Sequence, residues 1–192
     1  MNSLKAKLPP MGTLGPFIAL IFACLFFATQ NERFLTLQNF SLILQQVMVV
    51  GTIAIGQTLI ILTAGIDLSC GMIMALGSIV MTKMGADFGL SAPVAITLGI
   101  AATAGFGLIN GLLVTKAKLP PFIVTLGTLN IAFAITQLYS GSQTVTEVSD
   151  GLTWLGNSFR IGETNILYGV VLMLALYLIT WLFLRETAPG RH

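Results

Sequence analysis

Long apolar stretches alternate along the chain with short segments that carry the charged residues. Four stretches contain no Asp, Glu, Lys or Arg, and they cover residues 8–31, 88–115, 119–146 and 164–184. A helix that crosses a hydrocarbon core about 30 Å thick needs about 20 apolar residues. Each stretch therefore predicts one membrane-spanning helix.

A fifth apolar stretch, residues 34–82, is too long for one crossing. As a single helix its 49 residues would extend about 70 Å, more than twice the thickness of the core. It therefore predicts two helices joined by a turn near Asp67, the one charged residue within it. The pattern as a whole predicts an all-α integral membrane protein in one domain, with about six transmembrane helices over residues 14–30, 41–62, 68–84, 92–114, 121–140 and 165–184.

Composition supports the same class of protein. The chain is 55% hydrophobic and 8% charged, whereas ordinary globular chains are about 25% charged. A net charge of +2, with basic residues dispersed in short loops, argues against a nucleic-acid partner. Cys24 and Cys70 lie in apolar segments without a C-x-x-C pair, so we expect two buried thiols.

The basic residues predict the orientation. Six of the nine fall on one predicted side, as Lys5, Lys7, Lys116, Lys118, Arg185 and Arg191. By the positive-inside rule that side is cytoplasmic, which places both termini inside and the segment 141–164 outside. Within this outer segment, Trp154 and Leu155 either dock a partner or lie in the membrane interface.

Asp67 has two possible roles. A carboxylate within an apolar stretch costs about 2.5–3.5 kcal/mol at a helix centre, which favours a solute or ion pathway. Alternatively, Asp67 caps a helix that starts at Leu68, with Gly65 and Gly71 as turn and packing residues. The residue pattern leaves both roles open.

Small and polar residues mark further positions within the predicted helices. A stripe at intervals of four, Gly99, Thr103, Gly107 and Gly111, predicts close helix packing. Gln57 needs either an interhelical hydrogen bond or a place in a water-filled path.

The predicted fifth helix has its own markers. Pro120 and Pro121 predict its first turn, where a missing N–H costs nothing. Further along, Gly127, Thr128 and Asn130 favour a kink or a path lining, with simple packing as the alternative.

Catalytic and nucleotide-binding patterns are absent from the sequence. His192 is the single histidine, so no histidine-based metal cluster or catalytic triad can form, and we predict neither a cofactor nor a metal. The sequence also has no G-x-x-x-x-G-K-[ST] phosphate loop. We therefore predict that the chain is not an enzyme and that any ATP-driven work needs a separate subunit.

Three strings resemble the permease subunits of sugar-type ABC importers, the ribose, xylose and related carbohydrate permeases. They are TAGIDLS at 63–69, NGLLV at 110–114 and LPPFIVTLGT at 119–128. The resemblance implies a multi-pass protein of the bacterial inner membrane that passes a monosaccharide or similar small polar solute by alternating access. It also implies cytoplasmic ATP-binding subunits, a periplasmic solute-binding protein and a second permease copy or homologue as partners in the bilayer.

We predict a substrate pathway with six polar residues, Gln57, Asp67, Ser69, Asn110, Thr128 and Asn130. Two other functions share these features: an ion-coupled secondary transporter that uses Asp67, and a structural fragment without transport. The resemblance also predicts that the chain is the N-terminal fragment of a longer permease, because such permeases continue well beyond the position of His192.

Overall fold

The computed structural model describes residues 11–146, 148–162, 164–187 and 190. Long helices dominate these residues, and a short helical and hairpin segment precedes the last of them. The helices are α1 (Met11–Gln30), α2 (Leu37–Leu62), α3 (Cys70–Ala86), α4 (Ala92–Thr115), α5 (Pro121–Ser140), the short α6 (Asp150–Thr153) and α7 (Tyr168–Glu186). A 3-10 turn (Trp154–Gly156) and two strands, β1 (Ser158–Ile161) and β2 (Thr164–Leu167), lie between α6 and α7.

The predicted fold class, a multi-span helical membrane protein, is confirmed. Among the described residues, four helices are long and apolar enough to cross a membrane, namely α2, α4, α5 and α7. The apolar helices Leu14–Gln30 and Cys70–Ala86 are shorter. How many helices cross, and on which side the termini lie, remain predictions; residues 1–10, 191 and 192, on which the orientation partly depends, fall outside the described residues.

Four helices begin at other residues than the sequence predicted, and one of them is α1, which begins at Met11 and not at residue 14. Helix α2 begins at Leu37, before residue 41, because the Thr36 hydroxyl accepts a hydrogen bond from the Asn39 N–H at 3.3 Å. Helix α3 begins at Cys70, after a turn at residues 67–69. Helix α7 begins at Tyr168, because residues 164–167 form β2.

Helices α3 and α4 approach closely through glycine. A Cβ at Gly77 would collide with the Thr103 methyl group, and a Cβ at Gly99 would collide with Met81. Gly107 and Gly111, in contrast, would meet nothing within 4 Å. Only the half of the predicted small-residue stripe that contains Gly99 and Thr103 therefore packs against α3. The half that contains Gly107 and Gly111 lies on an exposed face of α4.

The middle of the bundle is apolar. Ile73 and Leu76 of α3 and Ala132 of α5 form a buried cluster, which Phe106 of α4 covers. Outside this cluster most large apolar side chains are exposed, as suits a surface in contact with lipid. Cys24 is exposed and Cys70 is half-buried, so the expectation of two buried thiols is wrong at Cys24 and met only in part at Cys70.

The segment before α7 departs locally from the all-helical prediction. β1 and β2 pair as an antiparallel hairpin, with Ser158 opposite Leu167. The Trp154 ring stacks on the Tyr168 ring, with centroids 5.0 Å apart and planes 8° apart. Trp154 is therefore held against the start of α7 while its exposed fraction stays at 55%.

The connections gather at two opposite ends of the bundle. Residues 87–91 and 141–167 share one end, where a Cβ at Gly151 would collide with Ala92. We call it the hairpin end. Residues 63–69 lie at the other end, where the Thr125 hydroxyl bonds to the Ile66 carbonyl. We call it the Asp67 end.

Candidate functional site

The candidate site is built on residues 63–69, the non-helical connection between α2 and α3. Helix α2 ends as the Gly65 N–H donates to the Ile60 carbonyl and the Ala64 N–H to the Ile61 carbonyl, both at 2.9 Å. This bond pair is a Schellman ending, with Ala64 in the left-handed region at φ 57°. A Cβ at Gly65 would lie 2.9 Å from the Ile60 side chain, so the connection needs glycine there.

The Asp67 carboxylate organises the turn into α3. Its Oδ1 accepts from the Ser69 N–H at 2.7 Å and from the Ser69 hydroxyl at 2.6 Å. This closes a short Asx-type turn two residues long. Asp67 therefore differs from the predicted cap of a helix starting at Leu68, because the helix begins only at Cys70.

Polar side chains of three helices, α2, α4 and α5, contact this connection. From α2, the Gln57 Nε2 donates to the Asp67 carbonyl at 2.9 Å. From α4, the Asn110 Nδ2 donates to the Ser69 hydroxyl at 3.0 Å. From α5, the Thr125 hydroxyl lies 3.3 Å from the Ile66 carbonyl, although its shorter bond, at 2.8 Å, is to the Pro121 carbonyl of its own helix. The connection is thus the meeting point of α2, α4 and α5.

The end of the connection, at Ser69, lies inside the bundle, whereas Thr63, Ala64, Ile66 and Leu68 are exposed. Asn110 lies five residues before α4 ends at Thr115, about 7.5 Å along the helix. Ser69 has no exposed surface, and Asn110 is 6% exposed. Irregular backbone at this depth is tolerated where protein buries it or where it lines a water-filled cavity.

Two acceptors at this site have no partner among the described residues. They are the Oε1 of Gln57 and the Oδ1 of Asn110, both buried. An unpaired buried polar group costs about 1–3 kcal/mol, and most such groups in native proteins pair with protein or ordered water. Both oxygens can accept a hydrogen bond from a hydroxyl group of a solute or from water.

Four of the six predicted pathway residues thus come together: Gln57, Asp67, Ser69 and Asn110. The other two do not join them. The buried Thr128 hydroxyl bonds within α5, at 3.2 Å from the Val124 carbonyl. The exposed Asn130 also bonds within α5, to the Leu126 carbonyl at 2.8 Å.

The structure also places the remaining predicted positions. Helix α5 begins at Pro121, with Pro120 at the N-cap. A Cβ at Gly71 or Gly127 would meet nothing within 4 Å, so neither glycine marks a close approach in the described chain.

Thr125 is a site residue that the sequence analysis did not select. It is 4% exposed and contacts the connection from α5. One sequence feature could have identified it: Thr125 lies three residues before Thr128 in the string 119–128, and therefore on the same side of the helix.

The chemistry of the site is that of hydrogen bonding. Within the described part of the chain, no group of three or more His, Cys, Asp or Glu residues is arranged to hold a metal ion. Around the turn, neutral amides and hydroxyls surround a single carboxylate. This set suits a neutral polar solute with several hydroxyl groups.

Comparison with known proteins matches this chain to one family of membrane permeases. Residues 39–192 match the family model described as a branched-chain amino acid transport system / permease component. The fructose import permease FrcC of Rhizobium meliloti is 41% identical over 92% of this chain and 51% of its own length. The ribose import permease RbsC of Bacillus subtilis is 37% identical over 95% of this chain and 56% of its own length.

A third relative is the D-allose transport system permease AlsC of Escherichia coli, which is 35% identical over 92% of this chain and 53% of its own length. The chain spans about half the length of the curated relatives it matches. No solved structure matches it.

Proposed function

Because this chain belongs to the permease-component family of branched-chain amino acid transport systems, we propose that it is the membrane permease of an ATP-driven importer for a monosaccharide or similar small polar solute. The relatives are named for the import or transport of fructose, ribose and allose, which are all monosaccharides. The chain is accordingly a multi-pass protein of the bacterial inner membrane. It provides a path for the solute and no catalysis.

The observation that carries this proposal is the pair of buried amide oxygens at the Asp67 end, those of Gln57 and Asn110. A structural turn would be expected to satisfy its own polar groups, yet Gln57 and Asn110 each keep a buried acceptor oxygen without a protein partner. Both amides already use their N–H groups to fix the connection. Their oxygens are therefore held in place, ready to accept hydrogen bonds from sugar hydroxyls as these pass.

The energy and the solute come from partner proteins in this proposal. We assign ATP hydrolysis to cytoplasmic ATP-binding subunits, because this sequence carries no phosphate-binding loop. We assign delivery of the solute to a periplasmic solute-binding protein, and completion of the path to a second permease copy or homologue. Alternating access then exposes the polar residues first to one side of the membrane and then to the other.

The test is uptake of radiolabelled ribose, fructose and allose by cells with and without the gene. We expect deletion to abolish uptake of at least one sugar and the complete gene to restore it. Collapsing the ion gradient while cellular ATP is held constant should leave this uptake intact. Loss of uptake under that treatment would instead support an ion-coupled carrier, and unchanged uptake after deletion would contradict the proposal.

A further inference from the structure

A second polar region lies at the hairpin end, between α3 and α5. A cavity of about 360 Å³ is lined there by six hydroxyl side chains, those of Ser78, Thr82, Thr136, Ser140, Ser142 and Thr144. The amides of Gln137 and Gln143 complete its polar lining. A neighbouring cavity of about 240 Å³ shares Ser140, Gln143 and Thr144 with it. We call the two together the hydroxyl cleft.

The hydroxyl groups of the helices are arranged to accept hydrogen bonds. The Thr136 hydroxyl donates to the Ala132 carbonyl at 2.7 Å, and the Thr82 hydroxyl to the Ser78 carbonyl at 3.0 Å. Each proton is therefore used within its own helix, while the oxygen lone pairs stay available. Gln137 and Gln143 form no side-chain hydrogen bond to any residue that the structure describes, so their amides can both donate and accept.

The charge of the cleft favours a neutral ligand. Among the residues that the structure describes, none in the lining of the larger cavity is charged. The smaller one adds Lys83 and Asp87, which neutralise each other at 2.7 Å. The Lys83 ammonium also lies 5.8 Å from the centre of the Tyr139 ring, whose buried hydroxyl has no partner among the described residues.

The cleft and the Asp67 end lie along the same face of α5. Thr125, Thr128, Ala132, Thr136 and Ser140 follow one another at helical spacing on that face. In the middle, the buried Ala132 packs with Ile73 and Leu76 of α3. An apolar cluster thus separates the two polar regions along this face of α5.

We propose that the hydroxyl cleft is a binding site for a neutral polyhydroxylated solute, where the solute is held before the apolar cluster admits it toward the Asp67 end. This inference rests on the proposed function, since it takes the solute to be a sugar and the hairpin end to be outside. The larger cavity, about 360 Å³, falls within the usual range of ligand sites, about 300–1,000 Å³. Six hydroxyls and two amides without net charge match the hydrogen-bonding surface of a sugar.

The first test measures protection of a cysteine in the cleft. In cells carrying the complete transport system, with Cys24 and Cys70 replaced by serine, Thr136→Cys is labelled with an impermeant thiol reagent with and without saturating D-ribose or D-fructose. We expect sugar to slow labelling at least threefold. The matched control, Thr153→Cys on the exposed α6, should be labelled at the same rate in both conditions.

The second test removes a hydroxyl without changing side-chain shape. Thr136→Val should raise the KM for sugar uptake about 3–10-fold, the effect of one or two lost hydrogen bonds. Thr97→Val is the control, because its hydroxyl makes the same 2.7 Å bond within a helix but lies on α4, outside the cleft. It should leave KM unchanged.

The outcomes separate this inference from the proposed function. Suppose that uptake is normal, that sugar does not slow labelling of Thr136→Cys and that both valine variants have the same KM. This result would contradict the hydroxyl cleft as a sugar-binding site and leave the proposed function unaffected. Protection at Thr136→Cys without any uptake supports the cleft and overturns transport. Absence of both sugar protection and sugar uptake would contradict the cleft and the proposed function together.

Discussion

Two polar regions lie at opposite ends of the bundle, and they use their polar groups differently. At the Asp67 end, Gln57 and Asn110 donate hydrogen bonds across elements to the connection between α2 and α3. In the hydroxyl cleft, Thr82 and Thr136 bond only to carbonyls of their own helices. The first region therefore fixes the positions of three helices, whereas the second can lose or gain a ligand without disturbing the packing.

This difference predicts where a substitution harms folding. Removing a side chain from the Asp67 end leaves buried partners unsatisfied, which costs about 1–3 kcal/mol each. Removing a hydroxyl from the cleft leaves a helix carbonyl that still has its backbone bond. Substitutions at the Asp67 end should therefore lower the folded yield more than substitutions in the hydroxyl cleft.

The largest effect is all-or-none and concerns which region faces outward. Single cysteines replace Asn157 at the hairpin end and Ala117 between α4 and α5, in a background without Cys24 and Cys70. An impermeant thiol reagent applied to intact cells should label Asn157→Cys and spare Ala117→Cys, because Lys116 and Lys118 place the latter inside. The reverse pattern would place the Asp67 end outside and contradict the predicted orientation.

The next effect concerns Asp67 itself. Asp67→Leu removes the acceptor of two hydrogen bonds from Ser69, so we expect unfolding free energy to fall by about 1–3 kcal/mol and folded yield to fall with it. Asp67→Asn keeps a side-chain oxygen in place and should retain most folded yield and most transport. Yield follows from size-exclusion chromatography in detergent, and transport from sugar uptake.

One result would change the role assigned to this carboxylate. Complete loss of transport in Asp67→Asn, at normal yield, would show that the charge is needed in the pathway and that the turn is secondary. Thr136→Val supplies the comparison from the other region, since its folded yield should equal that of the unchanged protein.

The smallest effect compares the helix endings of the two regions. Ala64 ends α2 at φ 57°, and Gly141 ends α5 at φ 63°. Only glycine adopts this conformation without steric cost. Ala64→Gly should therefore raise the unfolding free energy by about 0.5–1 kcal/mol, and Gly141→Ala should lower it by about 1 kcal/mol.

Denaturation in detergent, followed by circular dichroism, measures both changes. A Cβ at Gly141 would meet nothing within 4 Å, so crowding cannot confuse the result. Changes of the same sign in the two variants would contradict the assigned backbone strain.

The sequence alone determined the class of protein and the approximate positions of its helices. Apolar stretches report membrane helices because the cost of placing a residue in lipid is summed over neighbouring positions and needs no knowledge of the fold. The predicted range 121–140 is that of α5, since proline begins the helix and glycine follows its end. The charged residue in the stretch 34–82 likewise marked the turn between α2 and α3.

Only the tertiary structure decided which polar and small residues act together. Asn110 and Ser69 are 41 residues apart, and Thr125 and Ile66 are 59 apart, so no local pattern could pair them. The face of a membrane helix that packs is also hard to find from hydropathy, because lipid is as apolar as a helix interface. For that reason the stripe of small residues could not show that Gly99 packs against α3 while Gly107 and Gly111 stay exposed.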